Sequence, residues 1–547
     1  MDKRSLLAIV LSVLILIAYQ EIISYLYPPQ KAVQPQSPVQ KPAEPVAPPA
    51  ARPAEEEKTA NQAETTPSPA AQLPASVART ITVENEVYTA VFTSLGGRLK
   101  SWRLKLYPGD AGRESPPLEM VKEGAFGELP LAFRLEGKDA VIEDDSLPYE
   151  VRAGDIRLQG NETASLEFKG RTPNGTVLTK TFSFSGQTYG INLDVRVAGA
   201  PDTVSSAALL WVQALEHYQS SSYHVPGPVA LIERKFVYET VTSLEGKEKI
   251  LGPGHVRWGG YADTYFLAAM IPPEGDTHRL FLNATNGTVE TRLSIPWKKE
   301  PVTYTLYIGP KEFEALNAVD PALDRAIDFG WFHFIARPLV ALLKLSHSFT
   351  GNYGVDIILL TFLVKLAFFP LTNKSFKSMA QMREVQPQME RLREQYKDDR
   401  EKLNREMMEL YRRYKINPLG GCLPMLVQMP VFIGLYQALS LAIELRQAPF
   451  FAWIQDLSRP DRLGSVDLWF IQPPGIPVLT LFMGGTMLIQ QAMTPAPGDP
   501  MQQKMMMFMP LIFTVMFVNF PAGLVLYWLI NNVLSIAQQY AYNKGLV

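Results

Sequence analysis

A lysine in an apolar run is the residue in this chain best placed to act by its charge. Lys365 lies in VDIILLTFLVKLAFFPLT, Val355 to Thr372, between Leu363, Val364, Leu366 and Ala367. A lysine at the centre of a membrane helix costs about 2.5–3.5 kcal/mol on insertion scales, so such residues usually face a polar cavity. Two readings stand side by side. The ammonium snorkels past Pro370, roughly 7.5 Å of helix rise away, to nearby headgroups, or it charges a wet groove. Thr361, one turn earlier on the same helix face, makes a polar stripe rather than a lone charge. The nearest intramembrane acid is Asp356, roughly 13 Å along the helix toward the opposite face. Water, lipid phosphate or an incoming acidic chain must then solvate Lys365.

Other chemistries are excluded by residue type. All six histidines (His217, His224, His255, His278, His333, His347) precede residue 353. A Ser-His dyad, an HExxH site or a histidine relay is therefore excluded from the later apolar segments. No GxxxxGK[ST] loop occurs, and the single cysteine, Cys422, allows neither a disulfide framework nor a thiolate cluster. No metal site is expected. His217, His224 and His255 would suit a sugar-binding or epimerase-like site, with surface or core histidines as the plainer alternative. Uncharged polar residues remain inside the apolar segments: Gln428, Gln490, Gln491, Asn519, Asn531 and Asn532. Sixteen of nineteen methionines lie from Met379 onward, Met425, Met429 and Met509 among them. Flexible thioethers suit a surface that accepts many apolar shapes, and they equally fill gaps in a core.

The elements that must position these residues change character along the 547-residue chain. Residues 1–27 place Lys3 and Arg4 before an apolar stretch with no cleavage signature, predicting an uncleaved transmembrane anchor with its N-terminus in the cytoplasm. Residues 28–78 hold twelve prolines and form a linker. Residues 79–320 turn to period two, as in INLDVRV and VTYTLYI, with turns at Asn174-Gly175, Ser185-Gly186 and Asn286-Gly287. They predict an all-β domain outside the cytoplasm. Residues 321–352 contain an amphipathic helix suited to the interface.

Five candidate spans follow within 353–547, at 353–370, 419–443, 476–492, 505–519 and 522–541. The segment 374–415 holds twelve Lys/Arg and reads as a cytoplasmic helical hairpin, its seam marked by Met382, Val385 and Met389 at three- and four-residue steps and continued by Met407 and Leu410, whereas 445–475 holds only Arg446, Arg459 and Arg462 and falls outside. Both termini are then cytoplasmic. Two spans are short against the ~20 residues a crossing needs, so they recruit flanking residues or the bilayer thins.

The runs KINPLGGCLPMLVQMPVFIGLYQAL, ELRQAPFFAWIQDLS, DPMQQKMMMFMP and NFPAGLVLYWLINN closely resemble the YidC/Oxa/Alb superfamily of membrane protein insertases, in the form with a large periplasmic domain. The resemblance covers essentially the whole chain. It implies a membrane α-helical fold of six transmembrane helices, five of them an insertase core, plus an all-β periplasmic supersandwich. It implies insertion and folding of bacterial inner-membrane proteins, alone or with the Sec translocon, through a hydrophilic groove open to the cytoplasm. The family usually carries arginine where this chain has Lys365; the charge is kept, the bidentate fork is not. The groove role carries over to Lys365, Thr361, Gln428, Asn519, Tyr527 and Trp528, and a hydrophobic slide to Met425, Met429, Phe432, Met509 and Phe513. An aromatic residue is common at position 519.

Nascent membrane proteins, SecYEG with accessory Sec components, membrane lipids, and a ribosome or targeting factor at the cytoplasmic loops are the implied partners, with no direct nucleic-acid specificity and no cofactor. The ending AYNKGLV lacks the long basic tail of some relatives, which leaves ribosome contact to those loops. A membrane transporter or channel is the alternative, without an internal repeat to support it. A carbohydrate enzyme on a membrane anchor is a third reading.

Overall fold

The structure, a computed structural model, describes residues 78–546 except 110–114, 125, 139–140, 216–225, 276, 398, 415–422, 467–470, 472 and 495–499. The expected anchor, nearly all of the linker, His217, His224 and Cys422 lie outside the described residues, as does the side chain of Met425.

Period two becomes strand after strand between Thr80 and Pro310. In Gly190–Ala198, Ile191, Leu193 and Val195 are buried while Asn192 and Arg196 are exposed. The other alternating run, Val302–Pro310, pairs with it antiparallel: Val195 faces Val302, Leu193 faces Tyr304, and Ile191 faces Leu306. A slip of one residue would turn every buried side chain outward, so the shared alternation fixes the register. At Asn286-Gly287 both residues have positive φ (51° and 74°). Thr285 and Thr288 pair across them in the tight hairpin such residues favour.

The strands form sheets of five, nine and six. The nine- and six-stranded sheets pack face to face: a Cβ on Gly259 would lie 2.6 Å from Leu280 Cδ1, and Thr291 Oγ1 donates to Gly260 O at 3.2 Å. The five-stranded sheet adds Phe92, 4.8 Å from the Phe182 ring. Where the three meet, Lys180 is fully buried with Nζ 2.5 Å from Asp144 Oδ2. It also donates to Gly96 O (2.9 Å) and Leu131 O (2.8 Å). Asp144 accepts further from the Phe133 N–H and Tyr149 OH. Burial lowers the Lys180 ammonium's pKa and raises the Asp144 carboxyl's, and each is the other's compensation.

Helices follow: α1 (His333–Thr350), α2 (Tyr353–Gln395), α3 (Arg400–Arg413), α4 (Leu423–Leu441), α5 (Val478–Met493), α6 (Pro500–Phe517) and α7 (Ala522–Asn543). α1 buries Ala336, Leu339, Val340 and Leu343 and exposes Phe334, Leu345 and Phe349. It ends at Gly351 in the left-handed region. Asn352 then caps α2, accepting from Gly354 and Val355 N–H. Asp356 clasps this corner, accepting from Thr350 Oγ1 at 2.6 Å and facing His347 Nδ1 at 2.9 Å.

The span ending near 370 and the hairpin beginning at 374 are continuous. α2 is one helix of 43 residues that runs through Pro370 and Pro387. Its far end packs against α3 through Met382, Val385, Met389 and Leu410, the seam that the three- and four-residue spacing predicts.

Among the described residues, α2 is the one helix long and apolar enough to cross a membrane by length and composition, while α5 and Met505–Phe517 are apolar but shorter. The 16 residues of α5 rise only about 24 Å, against a hydrocarbon core of about 30 Å. α6 starts at Pro500, ahead of its apolar part, and so draws flanking residues into the helix.

The β-domain is tied to one end of the bundle. Arg446 Nη2 donates to Pro108 O (2.8 Å) and Gly109 O (2.9 Å). Lys344 of α1 gathers Glu312, Glu314 and Glu444 at 3.2, 2.6 and 3.1 Å.

Removing one partner of a buried pair leaves an uncompensated charge, at a cost of about 3–5 kcal/mol. Lys180→Met should therefore lower the thermal midpoint of the β-domain in the purified chain, followed by near-UV circular dichroism. Adding Asp144→Leu should recover most of the loss. An unchanged midpoint in Lys180→Met would show that the pair does not hold the three sheets together.

Candidate functional site

The sequence of α7 puts polar residues on two neighbouring stripes. Tyr527, Asn531, Ser535 and Gln538 follow one another at steps of four, four and three, and Asn532 and Gln539 lie beside them. The start of the helix, Ala522 to Tyr527, is wholly buried. Asn532, Ser535, Gln538 and Gln539 are buried too, so their polar groups must find partners inside the bundle.

The partners come from three other helices. Lys365 Nζ of α2 donates to Ser535 Oγ at 2.6 Å, and Ser535 Oγ donates to Asn531 O at 2.7 Å. Gln428 Nε2 of α4 donates to Asn531 Oδ1 at 3.0 Å and more weakly to Tyr527 OH at 3.4 Å. Toward the hairpin end, Gln538 Nε2 donates to Asn373 Oδ1 at 2.7 Å and approaches Phe369 O at 3.4 Å. On the other side, Asn532 Nδ2 reaches Thr486 Oγ1 of α5 at 3.4 Å, and Gln539 Nε2 donates to Met493 O at 3.0 Å.

A hydrogen bond to a charged group contributes about 1.5–3 kcal/mol, comparable with the insertion cost of the lysine. Among the described residues no carboxylate lies within ion-pair distance of Lys365, and Asp356 is engaged at the α1–α2 corner. The snorkelling route loses ground for a steric reason. Phe369 and Asn373 continue the Lys365 face of α2 toward the hairpin, and Gln538 already occupies it.

An aromatic wall stands beside the polar chain. Trp528 meets Phe432 of α4 edge-on at 4.7 Å and lies 6.1 Å from Phe513 and 5.1 Å from Phe517 of α6. Met429 and Met509 are exposed, with Met505, Phe508, Ile512 and Met516 extending that surface along α6.

The end of the bundle nearest the β-domain is stitched shut. Buried Asp461 accepts from the Leu479 N–H (2.7 Å) and Thr480 Oγ1 (3.1 Å) at the start of α5. Arg462 donates to Pro473 O, Val518 O and Asn519 Oδ1 at 2.7, 3.0 and 2.9 Å. The Ala522 and Gly523 N–H groups at the start of α7 donate to Arg459 O and Leu457 O.

Of the groove residues expected from sequence, Lys365, Gln428 and Tyr527 share one hydrogen-bonded chain. Three do not join it. Thr361 is buried with its hydroxyl turned back on Ile357 O at 2.6 Å, the local bond a helical threonine makes readily. Trp528, next to Tyr527 on the helix, points about 100° away into the aromatic wall. Asn519 lies at the α6–α7 turn on the β-domain side, held by Arg462. Of the slide residues, Phe432 and Phe513 meet across Trp528, and Met429 and Met509 are exposed. Sequence reasoning missed Ser535, Gln538 and Asn373. Helical spacing from Asn531 and from Lys365 was the signal that would have found them.

A family model described as 60Kd inner membrane protein matches residues 345–547, and one described as YidC periplasmic domain matches residues 80–342. The chain is 42% identical over 559 aligned positions to the membrane protein insertase YidC of Syntrophus aciditrophicus, with 100% of each chain covered. It is 39% identical to that of Geotalea daltonii, again over 100% of each. Among solved structures, an active YidC insertase with its first transmembrane domain resolved is similar over 83% of this chain and 91% of that one, at 17% identity and a TM-score of 0.37. Matched by the two family models over most of its length and by these relatives over all of it, the chain belongs to the YidC family of membrane protein insertases, inner-membrane proteins with a periplasmic domain.

Proposed function

We propose that this insertase works without covalent catalysis, by lowering the barrier to moving a polar segment across the bilayer. The segment of a nascent membrane protein destined for the periplasm enters from the hairpin side. Lys365 holds its acidic groups transiently, with Gln428 and Tyr527 as uncharged hydrogen-bonding neighbours. The apolar segment that follows slides along Met425, Met429, Phe432, Met509 and Phe513 into lipid. Thr361, Trp528 and Asn519 act at the margins of this path, as helix packing, as part of the apolar wall and as part of the outer closure.

One observation carries the reading: a lysine within an apolar helix takes a hydroxyl partner and no carboxylate among the described residues. A polar segment that meets this charge regains part of the solvation it loses on leaving water. The short helices reduce the hydrocarbon to be crossed. In this reading both termini and the hairpin are cytoplasmic. The hairpin and neighbouring loops receive ribosomes or targeting factors, and SecYEG with its accessory components hands over larger substrates.

Lys365→Arg should keep insertion within about twofold, because charge and reach are preserved. Lys365→Glu should reduce insertion of substrates with acidic outer segments by roughly tenfold or more, since a like charge replaces an opposite one. The measurement is protease protection of labelled substrates at matched insertase levels. Equal insertion of acidic-tailed substrates by Lys365→Glu and the parent would remove the charge-partner role.

Photo-crosslinkers at Gln428 and Met509 should trap ribosome-bound nascent membrane segments, while one at exposed Leu106 of the β-domain should not. In a chain whose Cys422 is replaced by Ala, a cysteine at Asn519 should react with an impermeant maleimide only from the periplasmic side. A cysteine at exposed Leu546, just beyond α7, should react only from the cytoplasmic side. The reverse pattern would overturn the orientation.

A further inference from the structure

We propose that Ser535 is the positioning residue for the Lys365 ammonium, and that it thereby sets the groove's preference for acidic segments. The inference rests on the groove reading above and adds to it the group that aims the charge.

A serine hydroxyl has one proton and two lone pairs. At Ser535 the proton is committed to Asn531 O, 2.7 Å away. A lone pair is thereby turned toward Lys365 Nζ, 2.6 Å away. Ser535 cannot rotate to donate elsewhere without giving up that bond. Asn531 is itself anchored, its side-chain oxygen accepting from Gln428. Ser535 is buried on α7, and one turn further Gln538 is fixed by Asn373. The acceptor is therefore rigid, while the lysine stem that reaches it is flexible.

An ammonium has three donors. One is taken by Ser535, and no carboxylate among the described residues takes another, so an entering carboxylate would meet an ammonium with donors to spare. An arginine at position 365 would carry a planar fork with its own directional preference. A lysine has none, and borrows its direction from Ser535. In its absence the flexible stem would spread the charge over many positions, and an entering carboxylate would have to order it again.

The test uses the full-length chain and two substrates that differ only in the outer segment, one carrying Asp and the other Asn at the same positions. The readout is the ratio of their inserted fractions. Ser535→Ala should lower the Asp/Asn ratio roughly tenfold, the equivalent of one charge-assisted hydrogen bond, and Ser535→Thr should restore it. In a Lys365→Met background Ser535→Ala should change the ratio no further, because the partners act as one unit. If Ser535→Ala does not accumulate, Ser535→Cys, of similar size with a weak acceptor, should lower the ratio in the same direction. A loss equal for both substrates, or a further ratio change in the Lys365→Met background, would make Ser535 a packing residue and overturn the proposal. If Lys365→Met lowers the ratio and Ser535→Ala does not, the positioning role fails alone. If Lys365→Met leaves the ratio unchanged, the groove reading fails with it.

Discussion

The helical half of this protein is organised by the need to solvate one positive charge away from bulk water. Lys365 sits where no carboxylate comes within ion-pair distance among the described residues, and its hydrogen-bond acceptor lies on the last helix, 170 residues away in sequence. That bond requires α7 to run beside α2 with Ser535 inward. Helical geometry then brings Tyr527, Asn531 and Gln538 inward as well, each of which needs a partner of its own. Gln428 and Asn373 supply them. Each satisfied group fixes its neighbour, so the chain of polar contacts helps to align three helices.

The same bundle is asymmetric from end to end. Near the β-domain, Asp461, Arg462 and the backbone of Leu457 and Arg459 take up the free N–H and C=O groups at the starts of α5 and α7 and at the end of α6. In lipid such groups cannot be left bare, and satisfying them with a folded loop closes that end. Toward the hairpin the bundle is lined instead by side-chain amides and a half-buried ammonium. The two ends thus meet the same requirement differently, one with a folded loop and the other with side-chain amides.

The β-domain solves its own buried-charge problem with an ion pair. Lys180 and Asp144 use their donors and acceptors on each other and on backbone groups from the region where three sheets join. An ion pair suits this place, where every group is fixed. Lys365 has no such carboxylate partner among the described residues and rests on a single hydroxyl instead.

By itself, the sequence determined much of this. Alternation in INLDVRV and VTYTLYI predicted two strands, each with one face buried; that they pair with each other came from the fold. Three- and four-residue spacing predicted the seam of the hairpin, and the lysine in an apolar run announced a group needing a polar partner. These features are local, with their cause and effect within a turn or two of chain. Only the tertiary structure decided which polar residues meet. It joined Lys365 to Ser535 and Gln428 to Asn531, turned Trp528 away from Tyr527, and sent Asn519 to the opposite end. It also carried the second span unbroken into the hairpin despite two prolines. The physical reason is the same throughout. Periodicity states which face of a helix is polar, but the partner that satisfies that face belongs to another helix, and its rotation and height are set by packing.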